Sequence, residues 1–260
     1  MGGTGRCGHV DRMGWFASRS IRHHLAWVGG IALGVVAVMA GVAALAGFFD
    51  RDPVVLLPAE GTTRPVAALY LSGDMGLRFG PNPTTTRTLA ANGVTVVALK
   101  SPTLFRFHRT RGEVDRIVAD AVRTALARSG ASRIVVIGQS YGADILETGL
   151  AALPPALRSR IAGAVLVVPG ESVFFRADPS GLGYRGMPDH IGAASLDRLD
   201  WLPVTCIYGR DEQDSACPDV HLPHATIIAM PGGHFLDNDR KGLFAHVLTA
   251  IRQDVPGAFR

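Results

Sequence analysis

The sequence predicts an α/β domain, a mainly parallel sheet with helices on both faces, preceded by one apolar helix long enough to span a membrane. Three observations carry that expectation: short β-branched runs each closed by a turn signal, helical patterns between them, and 25 consecutive uncharged residues from Leu25 to Phe49. Alternating strands and helices build a parallel sheet covered on both sides. At 260 residues, 47% apolar and 18% charged, the chain is too hydrophobic for a disordered polymer and long enough for a large core.

The apolar stretch comes first along the chain, bounded by Arg22-His23-His24 and Asp50-Arg51-Asp52. It exceeds the ordinary length of a globular helix and suits a bilayer. The residues before it hold Arg6, Arg12, Arg19 and Arg22 against Asp11, and that excess keeps the amino end in the cytoplasm. Ala44-Leu45-Ala46 before Gly47 has the small-residue pattern of a signal-peptide cleavage site. The apolar run from Leu25 to Ala43 is longer than the roughly 7–15 residues of such a peptide, so a permanent anchor is expected. Both readings place the domain outside the cytoplasm. The expected division is a basic tail over 1–24, a transmembrane segment over 25–49, a linker over 50–63 and a single domain over 64–260.

The net charge of +4 divides unevenly, because the amino-terminal tail contributes +3 and leaves the remainder nearly neutral. Nucleic-acid binding needs clustered cations on the folded part, and 7% aromatics offers little stacking surface, so no nucleic-acid partner is expected. Of the three cysteines, Cys7 falls on the cytoplasmic side, whereas Cys206 and Cys217 are exported together. An oxidising compartment lets that pair form a disulfide, the other reading being two free thiols.

Strands are expected at Val66–Leu71, Val94–Leu99, Arg133–Ile137, Ala164–Val168, Val204–Tyr208 and Ala225–Met230. The clearest helix is Gly112–Arg128, where Val114, Ile117, Val118, Ala121, Val122, Ala125 and Leu126 recur at three and four residues. In such sheets ligands sit beyond the carboxyl ends of the strands, which directs attention to the loops there.

The third of these strands runs into Gly138-Gln139-Ser140-Tyr141-Gly142 and then a helical pattern. G-x-S-x-G between strand and helix is the arrangement of a nucleophile elbow, a strained turn that exposes the serine hydroxyl; the alternative is an idle serine in a glycine-rich turn. A serine needs a base, and the base needs an acid to hold its tautomer, in the chain order Ser, acid, His for the α/β-hydrolase fold. Of the later histidines, His190, His221, His224, His234 and His246, only His234 follows a strand end in a glycine turn, Pro231-Gly232-Gly233. The acid is expected in the loop after Tyr208, where Asp211, Glu212 and Asp214 compete. Spacing from Gly209 suits Glu212, whereas proximity to the Cys206–Cys217 clamp favours Asp214, which is the expected acid.

Oxyanion donors are expected from the backbone of Tyr141 and from Asp74 or Met75 in the loop after the first strand. Asp74 and Asp144 also place acids beside the serine. Asp144 suits the positive end of its helix, but the two together favour a cationic substrate such as an amine-bearing ester. No metal or cofactor is expected.

With LYLSGDMG, GQSYGAD, CIYGRDEQDSAC and PGGHF in this order, the chain resembles the VirJ/AcvB family of bacterial virulence proteins over about residues 64–252. The resemblance implies an α/β-hydrolase fold outside the cytoplasm and, with the expected anchor, a single-pass protein of a bacterial inner membrane whose domain faces the periplasm. Through the AcvB-type members it implies hydrolysis of lysyl-phosphatidylglycerol, an aminoacylated phospholipid. Ser140 matches the family's elbow serine, Asp144 the aspartate of GAD, Asp74 that of SGDGG, and His234 the first histidine of GGHH. The chain departs at Met75, Leu77, Gln139, Tyr141 and Phe235, where the family commonly has Gly, Trp, an aromatic residue, Phe and a second His. Some members are linked to transfer of virulence cargo, which implies an alternative role as a non-catalytic partner of envelope secretion components; a third reading is a generic esterase or thioesterase. Residues 171–200 lack a clear period and are expected to insert as a small cap, with Phe174, Phe175, Leu182 and Tyr184 as lipid contacts or as the cap's own core.

Overall fold

The computed structural model describes Gly2 and residues 13–257; Arg6, Cys7, Asp11 and Arg12 lie outside the described residues, as do the side chains of Arg19 and Arg22. The first element is helix α1, Met13–Ala46, longer at its amino end than the expected 25–49 and three residues shorter at its carboxyl end. Its segment Trp27–Ala46 has 20 residues with mean hydropathy 2.4. That length and composition meet the requirement of a membrane anchor and of a signal sequence alike. The chain divides after Val42 into two compact units, and the second, Ala43–Arg260, carries everything described below.

Its sheet is built from β1 (Val54–Leu57), β2 (Ala67–Leu71), β3 (Thr95–Leu99), β4 (Ile134–Gln139), β5 (Ile161–Val167), β8 (Val204–Gly209) and β9 (Ala225–Met230). Two short strands, β6 (Ser172–Val173) and β7 (His190–Ile191), pair separately. The spatial order is β1-β3-β2-β4-β5-β8-β9, parallel throughout except for β1, which runs antiparallel to β3. All six strands expected from the sequence are present. Residues 50–63 are not a free linker, because Val54–Leu57 pair with Val96–Leu99 as an edge strand. A four-residue run between Pro53 and Pro58 has too little pattern to announce itself and depends on its neighbour for its hydrogen bonds.

Side-chain alternation sends the strand residues to two cores. Leu69, Leu71, Val97, Val136, Leu166 and Cys206 pack on one face with α4 (Arg111–Ser129) and α5 (Tyr141–Leu150). Ala68, Tyr70, Val96, Ile137, Val165 and Ile207 pack on the other with α2 (Asn82–Ala91) and α8 (Arg240–Asp254). Burial on both faces explains why these strands read as continuous apolar runs. Helix α4 starts at a capping box between Thr110 and Glu113 and stops at Gly130, whose φ of 68° is left-handed. Those local signals account for the agreement between its bounds and the expected Gly112–Arg128.

The remaining α-helices among the described residues are short: α3 (Ser101–Leu104), α6 (Pro155–Arg158) and α7 (Gly192–Leu196). The segment 171–200 lies between β5 and β8, with β6 paired to β7 and α7 after them. Asp189 fastens it by accepting from the Phe175 N–H at 2.8 Å and by meeting His108 at 2.8 Å. Phe175 and Ala177 enter the core, so the insertion is moored rather than free.

Candidate active site

Strand β4 reaches the sheet's carboxyl edge at Gln139, and α5 begins at Tyr141, leaving Ser140 alone in the turn. Its φ of 52° and ψ of −127° lie where a side chain strains the backbone. The flanking glycines permit the sharp reversal: a Cβ on Gly138 would collide with Ala143, and one on Gly142 with the Leu71 carbonyl. The turn therefore lifts the hydroxyl out of the sheet, the geometry expected of a nucleophile elbow.

The loop after β9 carries His234 to this hydroxyl, with Nε2 2.8 Å from Ser140 Oγ. On the other side of the ring, Nδ1 stands 2.5 Å from Oε1 of Glu212. The residue on the imidazole is thus Glu212 and not Asp214, which corrects the expected acid. The reason lies in two turns packed edge to edge. A Cβ on Gly209 would collide with the Gly232 and Gly233 carbonyls, and the Asp211 N–H donates to Gly232 O at 3.0 Å. That contact brings the loop's first residues under the ring. Its far end is drawn away, because Cys217 is bonded to Cys206 and the Ala216 N–H donates to Pro169 O at 3.0 Å. Asp214 consequently stands in the cavity wall, and Asp211 is exposed on the surface.

The loop after β2 approaches from the opposite side. A Cβ on Gly73 would rest 3.7 Å from Ser140 Cβ, so the turn holding Asp74 and Met75 lies against the elbow. Tyr141 begins α5, and its N–H belongs to the first turn, which has no intrahelical acceptor. Asp74 accepts a hydrogen bond from the Tyr184 hydroxyl at 3.1 Å, a link across 110 residues that no local signal announces. The Tyr184 hydroxyl oxygen (Oη) also accepts from the Asp178 N–H at 2.8 Å, so through Tyr184 the insertion is tied directly to the site.

These groups open on a cavity of about 790 Å³ whose wall includes Asp74, Asp144, Asp214, Phe174, Tyr184 and Phe235. Of the four cap residues singled out in the sequence, Phe174 and Tyr184 face this space, Phe175 is core, and Leu182 is exposed.

Burial governs the electrostatics. It pushes the Asp144 carboxyl up to about 8, despite the Gly170 N–H donated to its Oδ1 at 2.8 Å and the nearby His234. Burial raises Asp74 too, partly offset by the Tyr184 hydroxyl and the Met75 N–H. One turn beyond Asp144, Glu147 is fully buried, its carboxyl lies far above the usual range, and neither oxygen has a protein hydrogen-bond partner. Its i+3 spacing from Asp144 was visible in the sequence, but its burial was not. For His234, burial alone would lower the imidazole, and the Glu212 hydrogen bond and charge, with Asp144 and Asp74, outweigh it, so the value rises above 6.5.

The sequence profile of the family described as bacterial virulence protein, VirJ, matches residues 65–255. The chain belongs to the VirJ family. No curated protein matches it. Solved structures similar to this VirJ-family chain include Est1E from Butyrivibrio proteoclasticus, at 15% identity and TM-score 0.55, covering 76% of this chain and 93% of that one. The carboxylesterase CesB from Bacillus subtilis aligns at 12% identity and TM-score 0.56, covering 79% and 90%. The α/β hydrolase GrgF from Penicillium sp. sh18 aligns at 11% and 0.57, covering 76% and 92%. At such identities the likeness is one of fold, and the fold of this VirJ-family domain is that of the α/β hydrolases.

Proposed function

We propose that this protein is a serine hydrolase of carboxylic esters, acting outside the cytoplasm on the aminoacyl ester of lysyl-phosphatidylglycerol or a related aminoacylated phospholipid. The observation that carries the reaction class is the continuous chain Ser140 Oγ, His234, Glu212, at 2.8 and 2.5 Å, opening on a cavity. His234 Nε2 takes the hydroxyl proton as Ser140 Oγ attacks the ester carbonyl, and Glu212 holds the ring's tautomer and stabilises its charge. The Tyr141 N–H and the Gly73–Met75 turn flank the position where the oxyanion develops. The imidazolium then protonates the departing alcohol. Water, deprotonated by the same ring, releases the acyl group from Ser140.

The substrate class is supported by the carboxyl groups of Asp74, Asp144 and Asp214 in the wall, which suit an ammonium group. An arriving cation favours the ionised form of Asp144 and so strengthens its own binding. Family membership and a membrane-length helix agree with a lipid ester and with a domain in the periplasm. A second reading keeps the machinery and takes a neutral ester, favoured by the burial that pushes the Asp144 carboxyl up to about 8.

The test incubates the full chain and Ser140→Ala with vesicles containing lysyl-phosphatidylglycerol and follows lysine release. Release by the wild type alone supports the lipid reading. Equal release sinks it, and turnover of neutral acyl esters without lysine release establishes the second reading instead.

A further inference from the structure

Beyond α1, the most exposed large apolar side chains among the described residues are Met187 at 92%, Phe235 at 75%, Phe107 at 68%, and Phe49 and Leu182 at 61% each, and the next, Ile191, falls to 44%. These five are scattered along the sequence, but residues beside them meet in space. Phe235 follows His234 at the cavity wall, and Leu182 lies between Gly181 of that wall and Gly183. Met187 and His108 share a smaller depression of about 270 Å³ with Phe174, and His108 bonds to Asp189. Arg106, next to Phe107, donates to the Asp50 carbonyl at 2.5 Å, beside Phe49. Exposed apolar surface gathered at the rim of a cavity marks an interaction face.

The occupant of that face is indicated by how the chain leaves α1. Ala46 is buried, and a Cβ on Gly76 would collide with its carbonyl. Gly47 O accepts the Thr103 hydroxyl at 2.7 Å, and Lys100 pairs with Asp50 at 2.6 Å. Ala46, Gly47 and Asp50, where the apolar segment ends, are therefore fastened into the domain. Gly76 adjoins Met75, which lines the cavity. The 20 apolar residues ending at Ala46 span about 30 Å, the hydrocarbon thickness, so Ala46 belongs at the edge of that layer. The headgroup region above it is only about 5–8 Å deep. Exposed Arg176 and Arg185 beside Met187 suit anionic headgroups.

We propose that Phe49, Phe107, Leu182, Met187 and Phe235 form a bilayer-docking face, which holds the cavity mouth at the headgroup layer of the membrane that α1 enters. The chain then draws amphiphilic substrate laterally from its own bilayer. The inference rests on the ester-hydrolase reading for what is cleaved, and on the rim alone for docking.

The test uses the full chain with Cys7→Ser, reconstituted in phosphatidylcholine–phosphatidylglycerol vesicles. A fluorophore is placed through Met187→Cys, Phe107→Cys or, at the opposite end of β4, Ser132→Cys. Lipids spin-labelled near the headgroup are expected to quench positions 187 and 107 at least about twofold and to leave 132 unaffected. Quenching at 187 and 107 no stronger than at 132 overturns the proposal. In the same vesicles, Leu182→Ser with Met187→Ser is expected to slow lipid-ester turnover about tenfold while sparing a soluble short-chain ester. Equal loss on both substrates assigns the two residues to folding and overturns their role. Quenching without any hydrolysis leaves docking standing and sinks the hydrolase reading; hydrolysis without quenching does the reverse.

Discussion

The carboxylate of Glu212 meets Nδ1 of His234 at 2.5 Å, while Asp214, two residues on, stands free of the ring in the cavity wall. Glu212→Gln leaves the ring's position largely intact but removes the charge that favours the required tautomer. Its kcat on a chromogenic ester is expected to fall about 10³–10⁴-fold, with Asp214→Asn and Asp211→Asn within about threefold of wild type. A large loss in Asp214→Asn with an active Glu212→Gln reverses the assignment.

His234 accepts a proton only as neutral imidazole. Its pKa lies above 6.5 because Glu212, Asp144 and Asp74 outweigh burial. The acid limb of kcat/KM is therefore expected above pH 6.5, with activity lost as pH falls through it. The residual activity of Glu212→Gln should show that limb at lower pH, which a pH–rate profile of the two proteins checks.

Ser140 holds a positive φ of 52° that glycine adopts freely. Ser140→Gly is expected to abolish turnover yet raise stability by about 1 kcal/mol, or roughly 2–4 °C in Tm for a domain this size. A lower Tm for the glycine variant would show that the hydroxyl's hydrogen bond outweighs the strain.

Asp144 and Glu147 have folded-state pKa values above their unfolded ones, Asp144 near 8. The native state therefore binds more protons than the unfolded chain, and stability falls as pH rises from about 4 towards 8. Asp144→Asn is expected to raise Tm by a few degrees at pH 8 and little at pH 4. Melting curves at both values decide, and an equal shift at the two removes the linkage.

The Cys206–Cys217 disulfide closes an 11-residue separation. Chain entropy gives such a loop about 3 kcal/mol, so Cys206→Ser with Cys217→Ser is expected to lower Tm by roughly 6–12 °C. The clamp also holds the loop that carries Glu212. Turnover at 25 °C is accordingly expected to fall several-fold with the fold intact, as followed by circular dichroism and ester assay together.

The elements that the sequence made legible are those with a dense local code. The apolar strands, the capped helix Arg111–Ser129 and the elbow around Ser140 each depend on residues within a few positions of one another. His234 was legible because it alone among the later histidines ends a strand in a glycine turn. Strand β1 was not, since its four residues become a strand only by pairing with β3.

From the chain alone come the parallel sheet, the long apolar segment before it, the serine with its histidine and the cysteine pair, because periodicity, turn chemistry and spacing are local properties. The folded domain selected Glu212 from three acids, since its approach depends on Gly209 packing against Gly232 and Gly233. It also joined Tyr184 to Asp74 and buried Glu147 without a partner. Those outcomes depend on loops meeting across 22 and 110 residues, where distance in space is set by packing and leaves no mark on the sequence between.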